Sequence, residues 1–418
     1  MFTGILDAGC TVMLPYIEER HEALRRTVRD FAEAEIAPVA DRYDRESRFP
    51  WDTIRLIADR GWLGVNVPEI YGGLGLDYLS YLLVLEELAR VDVSHSITVS
   101  AHSTLGLSPI LNFGSEDQKR RYLPLLASGR VLGGFGLTEP AAGSDASATR
   151  TVAARVNGGY RISGSKIFIT HAGVGEVFVV TAVTDRTQGA RGITSFIVTK
   201  ETVDRAEADR VGIGHAPELE PFTPGVRAGK KEDKMGWRSS DTRELILEDA
   251  EVPMDNRLGA EGEGFVNFMK TLDAGRIGIA ALALGLAQGA FDQALAFTSE
   301  RKQFGRTLRD FQGVQFSLAD MATEIAAARH LVYHAAWLKE RGQPYGPAAS
   351  MAKLYTSELA MRTTTRAVQL LGAHGYTSEF PVERMMRDAK ICEIGEGTSE
   401  IQRLIIARRL LSGQRVGS

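Results

Sequence analysis

Glu393-Ile394-Gly395-Glu396-Gly397-Thr398-Ser399-Glu400-Ile401-Gln402-Arg403 sets a glutamate between two glycines at the mouth of a helix-forming run. With no Cβ on either neighbour, a substrate carbon can come close to the carboxylate while backbone N–H groups face a polarised carbonyl. The same glutamate also reads as an ordinary acidic charge at a helix N-terminus, since Ser399 and Gln402 spell a capping box just beyond it and the dipole favours negative charge there. Outward from this motif, helical spacing predicts long helices over 264–300, 312–341, 346–372, 381–391 and 400–411. In the first of them Ile277, Ile279, Leu282, Leu284, Leu286, Phe291, Leu295 and Phe297 spread around the whole circumference. Such a helix is expected to be buried within a bundle or between subunits.

Further upstream the period changes. Segments 151–156, 160–170, 177–184, 193–199 and 243–248 are short, rich in Val, Ile, Thr and Phe, and separated by turn residues such as Asn157-Gly158-Gly159, the pattern of a small β-domain. The first third is helical again, with Leu24, Val28, Phe31 and Ala32 at helical spacing and further runs at 51–60, 77–90 and 115–128. Ser115 and Gln118 form a capping-box pattern, and Pro68 to Gly75 reads as a glycine-rich loop. The expected fold is mainly α with a middle β-domain: a helical domain over 1–132, the β-domain over 133–255 and a helical bundle over 256–418.

Composition narrows the partners. The chain has 418 residues, 44% hydrophobic and 24% charged, enough for two or three domains at a prior of roughly 150 residues each. Forty-nine basic against 53 acidic residues leave a net charge of -4, which gives no polyanion-binding signature, so nucleic acid is not expected as a partner. Cys10 and Cys392 are too few for a disulfide framework or a cysteine metal site, as in a reducing compartment. His330 and His334 stand one turn apart without a Glu-rich metal pattern and read as a helix face, so no metal is expected. No uninterrupted apolar run reaches the roughly 18 residues of a membrane span. Met1 to Leu14 contains Asp7 and no Lys or Arg, and reads as neither a signal nor a transit peptide.

A second long motif, Gly136-Leu137-Thr138-Glu139-Pro140-Ala141-Ala142-Gly143-Ser144-Asp145, is a loop of small and hydroxyl residues that can lie against a planar cofactor. With the Glu396 motif, it makes the chain resemble the acyl-CoA dehydrogenases, from about Ile17 to Leu411. The resemblance implies a helical N-terminal domain, a small β-barrel and a C-terminal four-helix bundle. It also implies FAD, an acyl-CoA substrate, a homotetramer built as a dimer of dimers, and electron-transferring flavoprotein as electron acceptor. Glu396 takes the role of the base that removes the α-proton. Phe135, Leu137, Thr138, Ser144, Phe168 and Thr170 fall at flavin-contact positions. Arg301, Gln303, Phe304 and Gln312, with Gln369, Gly372 and Ala373, fall where the family binds FAD held mainly by a neighbouring subunit; Thr398 and Glu400 are further cofactor positions. Ser144, Asp273, Arg276 and Gly397 fall at substrate positions, although an Arg opening an apolar helix also reads as half of an internal ion pair. Glu379, Arg384 and Asp388 complete the motif around Gly372.

Several positions depart from the family pattern. Gly275 excludes the alternative base carried by some members one residue before the position of Arg276, and Gly395 stands where many relatives place tyrosine. Phe168 replaces a frequent tryptophan, and Ala373 a usual glycine or serine. Between Lys200 and Pro224 an acidic stretch is longer than the family's turn and reads as a solvated surface loop, with a partner contact as the other reading. Segments 272–285 and 393–411 lean toward the short-chain, butyryl-like branch. An oxygen-using oxidase or flavin monooxygenase on the same scaffold, and a non-catalytic nucleic-acid-associated flavoprotein, are the alternatives. The expected location is the cytoplasm, or the mitochondrial matrix of a eukaryote.

Overall fold

The largely apolar runs Val177–Val183 and Ile193–Thr199 in the middle of the chain yield strands buried on both faces. In the computed structural model, which describes residues 16–412, the chain divides into two units, one of 42–77 and 97–275, the other of 78–96 with the described residues of 1–41 and 276–418. The Met1 to Leu14 stretch and Cys10 lie outside the described residues.

The unit containing 97–275 is built on an eight-stranded sheet: β1 Gly133–Gly136, β2 Val152–Val156, β3 Gly159–Thr170, β4 Val177–Val183, β5 Ile193–Thr199, β6 Val226–Lys231, β7 Thr242–Pro253 and β8 Arg257–Leu258. The order is β6-β7-β3-β2-β4-β5-β8, with β1 parallel to β4. On β4, Phe178 and Val180 enter a core with Tyr160, Ile162, Phe196 and Leu247, while Val177 and Val179 enter another with Leu123, Leu126 and Phe268. All five predicted strands are present, and β7 runs past the predicted 248 to Pro253.

Three strands of this sheet, β1, β6 and the two-residue β8, carried no sequence signal. Gly133-Gly134-Phe135-Gly136 has no apolar alternation, and its strand is held by tertiary bonds. The Gly133 N–H donates to His102 Nδ1 at 3.1 Å, and His171 Nδ1 donates to the Gly133 carbonyl at 2.8 Å. β6, Val226 to Lys231, is charged and half exposed, as an edge strand can be.

The 201–222 stretch differs from the expected solvated loop. It forms a short helix, Arg205–Val211, and buries Ala208, Ile213, Ala216 and Leu219. Arg55 donates to the Val211 carbonyl at 2.8 Å, Arg210 pairs with Asp52 at 2.9 Å, and His215 meets buried Glu176 at 2.7 Å. Four apolar side chains among charges are enough to dock it.

The other unit is helical. It holds Glu19–Phe31, Tyr78–Val91, Gln312–Glu340, Gly346–Leu371, Val382–Ala389 and Ser399–Leu411, together with the Gly264–Glu300 helix from Arg276 onward. Gly285 and Gly289, four residues apart, let the Gly264–Glu300 helix meet Tyr78–Val91 backbone to backbone: a Cβ at either would fall 2.1 Å from the Glu86 carbonyl oxygen or 2.0 Å from that of Arg90. Buried Glu86 accepts from Arg329 at 3.0 Å and Tyr333 at 2.6 Å, and Arg25 donates to the Tyr333 hydroxyl at 2.7 Å, so one carboxylate ties helices far apart in sequence. The Gly264–Glu300 helix is long and apolar enough to cross a membrane by composition, yet its apolar window is 94% buried, as a core helix requires.

Candidate active site

Glu396 stands in a turn that only unusual backbone angles allow. Its φ is +52° and that of Gly397 is +94°, two consecutive left-handed residues just before the Ser399–Leu411 helix. The expected Ser399–Gln402 capping box is not formed. Thr398 is the N-cap, its hydroxyl accepting from the Ile401 N–H at 3.3 Å. Gln402 is fully buried, and its amide turns back onto the Gly397 carbonyl at 2.9 Å. That carbonyl also accepts from Lys353 Nζ at 2.8 Å.

Both Glu396 carboxylate oxygens are buried and have no hydrogen-bond partner among the described residues. An orphaned pair of acceptors is costly in a merely structural residue and useful in a base. Burial pushes the carboxyl up to about 7, opposed by the charges of Lys353 and Arg276. A carboxyl at that level can hold or release a proton near neutral pH. Arg276 and Lys353 are both buried, as are Tyr78 and Cys392 nearby. Beside the base, a Cβ on Gly395 would meet only the Ile391 carbonyl oxygen at 3.5 Å and the Ile391 side chain, so this position has room for a larger residue.

Apart from Arg384 and Asp388, most of the remaining candidates of the helical unit lie on its surface. Arg301 precedes a two-stranded turn, Lys302–Gln303 against Arg306–Thr307, whose tip is Phe304, 92% exposed with φ +52°. Gln312 opens the next helix and is exposed. Gln369, Gly372 and Ala373 are exposed at the end of Gly346–Leu371, where Gly372 takes φ +61°. Phe297 lies 5.7 Å from His374, which joins that turn to the end of the Gly264–Glu300 helix. His374 meets Glu379 at 2.7 Å, and Arg384 is buried, 3.7 Å from Asp92, with Asp388 buried on the same helix. Glu400 is exposed in the first turn of its helix.

In the sheet-containing unit, Phe135 faces inward, its ring stacked 3.8 Å from Phe268, so only its backbone is free to meet a ligand. Phe168 is the opposite: 61% exposed, with φ +58°, in the break of register between Lys166 and Ile169. Leu137, Thr138 and Thr170 are half-buried, and the Thr138 carbonyl accepts from the Ile167 N–H at 2.9 Å. Ser144 is exposed and Asp273 half-buried. An apolar ring held out on a bulge, beside hydroxyls and a small-residue loop, fits a planar aromatic cofactor.

A buried pair supports that loop. Lys166 Nζ donates to Glu139 Oε1 at 2.6 Å and to the Leu137 carbonyl at 3.4 Å; Glu139 also accepts from Thr149, Thr151 and the Arg150 N–H. Burial works against the Glu139 charge, but Lys166 and the hydroxyls outweigh it and hold the carboxyl down at about 2. Sequence reading gave no role to Glu139, Lys166 or Lys353. A lysine at an inward strand position, or on the Ala349-Ala352-Thr356 face of a helix, was the available signal.

Profiles for the N-terminal, middle and C-terminal domains of acyl-CoA dehydrogenases match residues 18–130, 134–250 and 262–411. The chain belongs to the acyl-CoA dehydrogenase family. This acyl-CoA dehydrogenase family chain is 47% identical over 394 residues to the short-chain-specific acyl-CoA dehydrogenase of Clostridium acetobutylicum, covering 94% of this chain and 98% of that one. Among solved structures, butyryl-CoA dehydrogenase from Megasphaera elsdenii superposes with a TM-score of 0.88 at 43% identity, over 94% and 99% of the two chains. A chain in a structure described as the electron transferring flavoprotein of Acidaminococcus fermentans gives 0.88 at 47% identity, over 94% and 98%. The three-domain fold of the family is therefore the fold of this chain.

Proposed function

We propose that this chain catalyses FAD-dependent α,β-dehydrogenation of a short acyl-CoA thioester to the trans-2-enoyl-CoA, with Glu396 as the base. The observation that carries the reading is the buried, unpartnered Glu396 carboxylate. Its proton affinity lies close to neutral, so Glu396 is ionised in a usable fraction at pH 7 and binds the α-proton firmly once it is taken. Lys353 and Arg276 supply positive charge beside it, and Gly397 contacts the thioester. When bound, the flavin accepts the β-hydride. Leu137, Thr138, Phe168 and Thr170, with the backbone of Phe135, hold the ring, while Ser144, Asp273 and Arg276 contact the substrate.

The distal part of the cofactor falls to Arg301, Gln303, Phe304, Gln312, Gln369, Gly372 and Ala373 of a neighbouring copy in a homotetramer, with Thr398 and Glu400 close to the flavin. Exposed Phe304, Tyr376 and Phe316 support such an assembly, since aromatic rings held in water mark contact surfaces. Electrons then leave to an electron-transferring flavoprotein.

The test is Glu396→Gln. The variant is expected to keep FAD and lose flavin bleaching by butyryl-CoA by several orders of magnitude, because an amide cannot take the proton. Bleaching at near wild-type rate excludes Glu396 as the base.

A further inference from the structure

A carboxylate without hydrogen bonds has its proton affinity set by burial and by nearby charge alone. Around Glu396 the groups that act are Lys353 on the Gly346–Leu371 helix, Arg276 on the Gly264–Glu300 helix and the Tyr78 hydroxyl at the start of Tyr78–Val91. Lys353 is itself faced by Cys392, Glu393, Glu400 and Arg276. Lys353 also touches the backbone of the turn. Its side chain is wholly buried, and among the described residues its ammonium donates one hydrogen bond, to the Gly397 carbonyl. That carbonyl lies between the two left-handed residues and the helix, and Gln402 is its second donor.

We propose that Lys353 is the positioning residue of the base: through the Gly397 carbonyl it holds the left-handed Glu396-Gly397 turn, and its charge keeps the Glu396 carboxylate ionised where water is excluded. The inference rests on the reading of Glu396 as the base. A strained turn persists only where its surroundings over-determine it, and two buried donors on one carbonyl do that here. The charge acts in the same direction as catalysis requires, because a buried carboxylate without a cation takes up its proton from water and ceases to be a base. Burial pushes the Lys353 ammonium down to about 8, so it remains charged at the pH where Glu396 ionises.

Two variants separate the roles. Lys353→Gln keeps an N–H donor without the charge, and Lys353→Arg keeps the charge. In the flavin-loaded protein without substrate, the Glu396 carboxyl is titrated by infrared difference spectroscopy, with Glu396→Gln identifying its band. In Lys353→Gln the midpoint is expected to rise by roughly 1–2 pH units, the shift of one lost neighbouring charge at an effective dielectric near 20. The kcat/KM for butyryl-CoA then falls about 10–100-fold at pH 6.5 and by less at pH 9. Lys353→Arg keeps its midpoint within about half a unit of wild type. An unmoved midpoint in Lys353→Gln, or a rise in Lys353→Arg equal to that in Lys353→Gln, overturns the proposal, as does an activity loss equal at pH 6.5 and 9. If Glu396→Gln still bleaches flavin, the base assignment fails, and the carboxyl midpoint continues to score the charge of Lys353 separately.

Discussion

At Glu396 the backbone angle, the missing hydrogen bonds and the raised proton affinity describe one compromise. A φ of +52° in a residue with a Cβ is strained, and both oxygens sit out of water without partners. The expected consequence is a pH dependence with a definite sign. The carboxyl is raised from its ordinary range to about 7, so its stabilising effect belongs to the protonated form, complete below about 4.5 and lost as pH rises through 7. Catalysis needs the ionised form. The Glu396 contribution to stability and the proposed activity therefore run in opposite directions over that window. In steady-state assays kcat/KM is expected to climb with pH through about 7 and level off above it; a flat profile from pH 5.5 to 8.5 contradicts a base with this affinity. Glycine on both sides drew attention to Glu396 in the sequence, but the residues alone read equally as a helix N-terminal charge, and the role of base came from the family resemblance. Lys353 was not legible, since a lone lysine in a helix usually reads as a solvent-facing charge and its bond to Gly397 spans 44 residues.

Among the elements, the helix pair Tyr78–Val91 and Gly264–Glu300 depends most on the absence of a side chain. Gly289→Val would put its Cβ 2.0 Å from the Arg90 carbonyl oxygen, and backbone cannot turn aside as a flexible side chain can. Overpacking of this kind costs about 1–3 kcal/mol or more, and a fall of several degrees in melting temperature is expected by calorimetry. Val at an exposed glycine such as Gly313, near which a Cβ would meet nothing within 4 Å, is the control. Helices with sustained periodicity were legible to within a residue or two, the run 264–300 to both ends. β1 was invisible, because three glycines carry no pattern and the strand exists through its parallel partner and two histidines. The 201–222 stretch misled in the other direction: its charges suggested solvation, while Ala208, Ile213, Ala216 and Leu219 supplied a buried face too short to register as periodic.

For the whole molecule, acid is the condition to which the architecture is most exposed. His102 must be neutral to accept the Gly133 N–H, and burial pushes it down to about 3; His171, also buried, is lowered as well. A histidine depressed in the folded state contributes stability above about 6.5 that is lost as pH falls toward 3. By pH 5 the loss from His102 alone is about 2 kcal/mol. His102→Asn is expected to be less stable at pH 7 but to show a shallower fall of melting temperature between pH 6.5 and 4; an unchanged slope argues that the clamp on β1 does not titrate. The division of the chain carries a different consequence, for synthesis. The sheet-containing unit ends at Gly275, whereas the helical unit needs segments from both ends of the sequence, the Glu396 turn among the last. On a ribosome adding about 5–20 residues per second, the half that carries Phe168 and Thr138 can fold on the order of ten seconds before the carboxylate is made. A chain truncated after Gly275 thus carries Phe168 and Thr138 without Glu396, and under the proposed reaction it is expected to lack the capacity for proton abstraction.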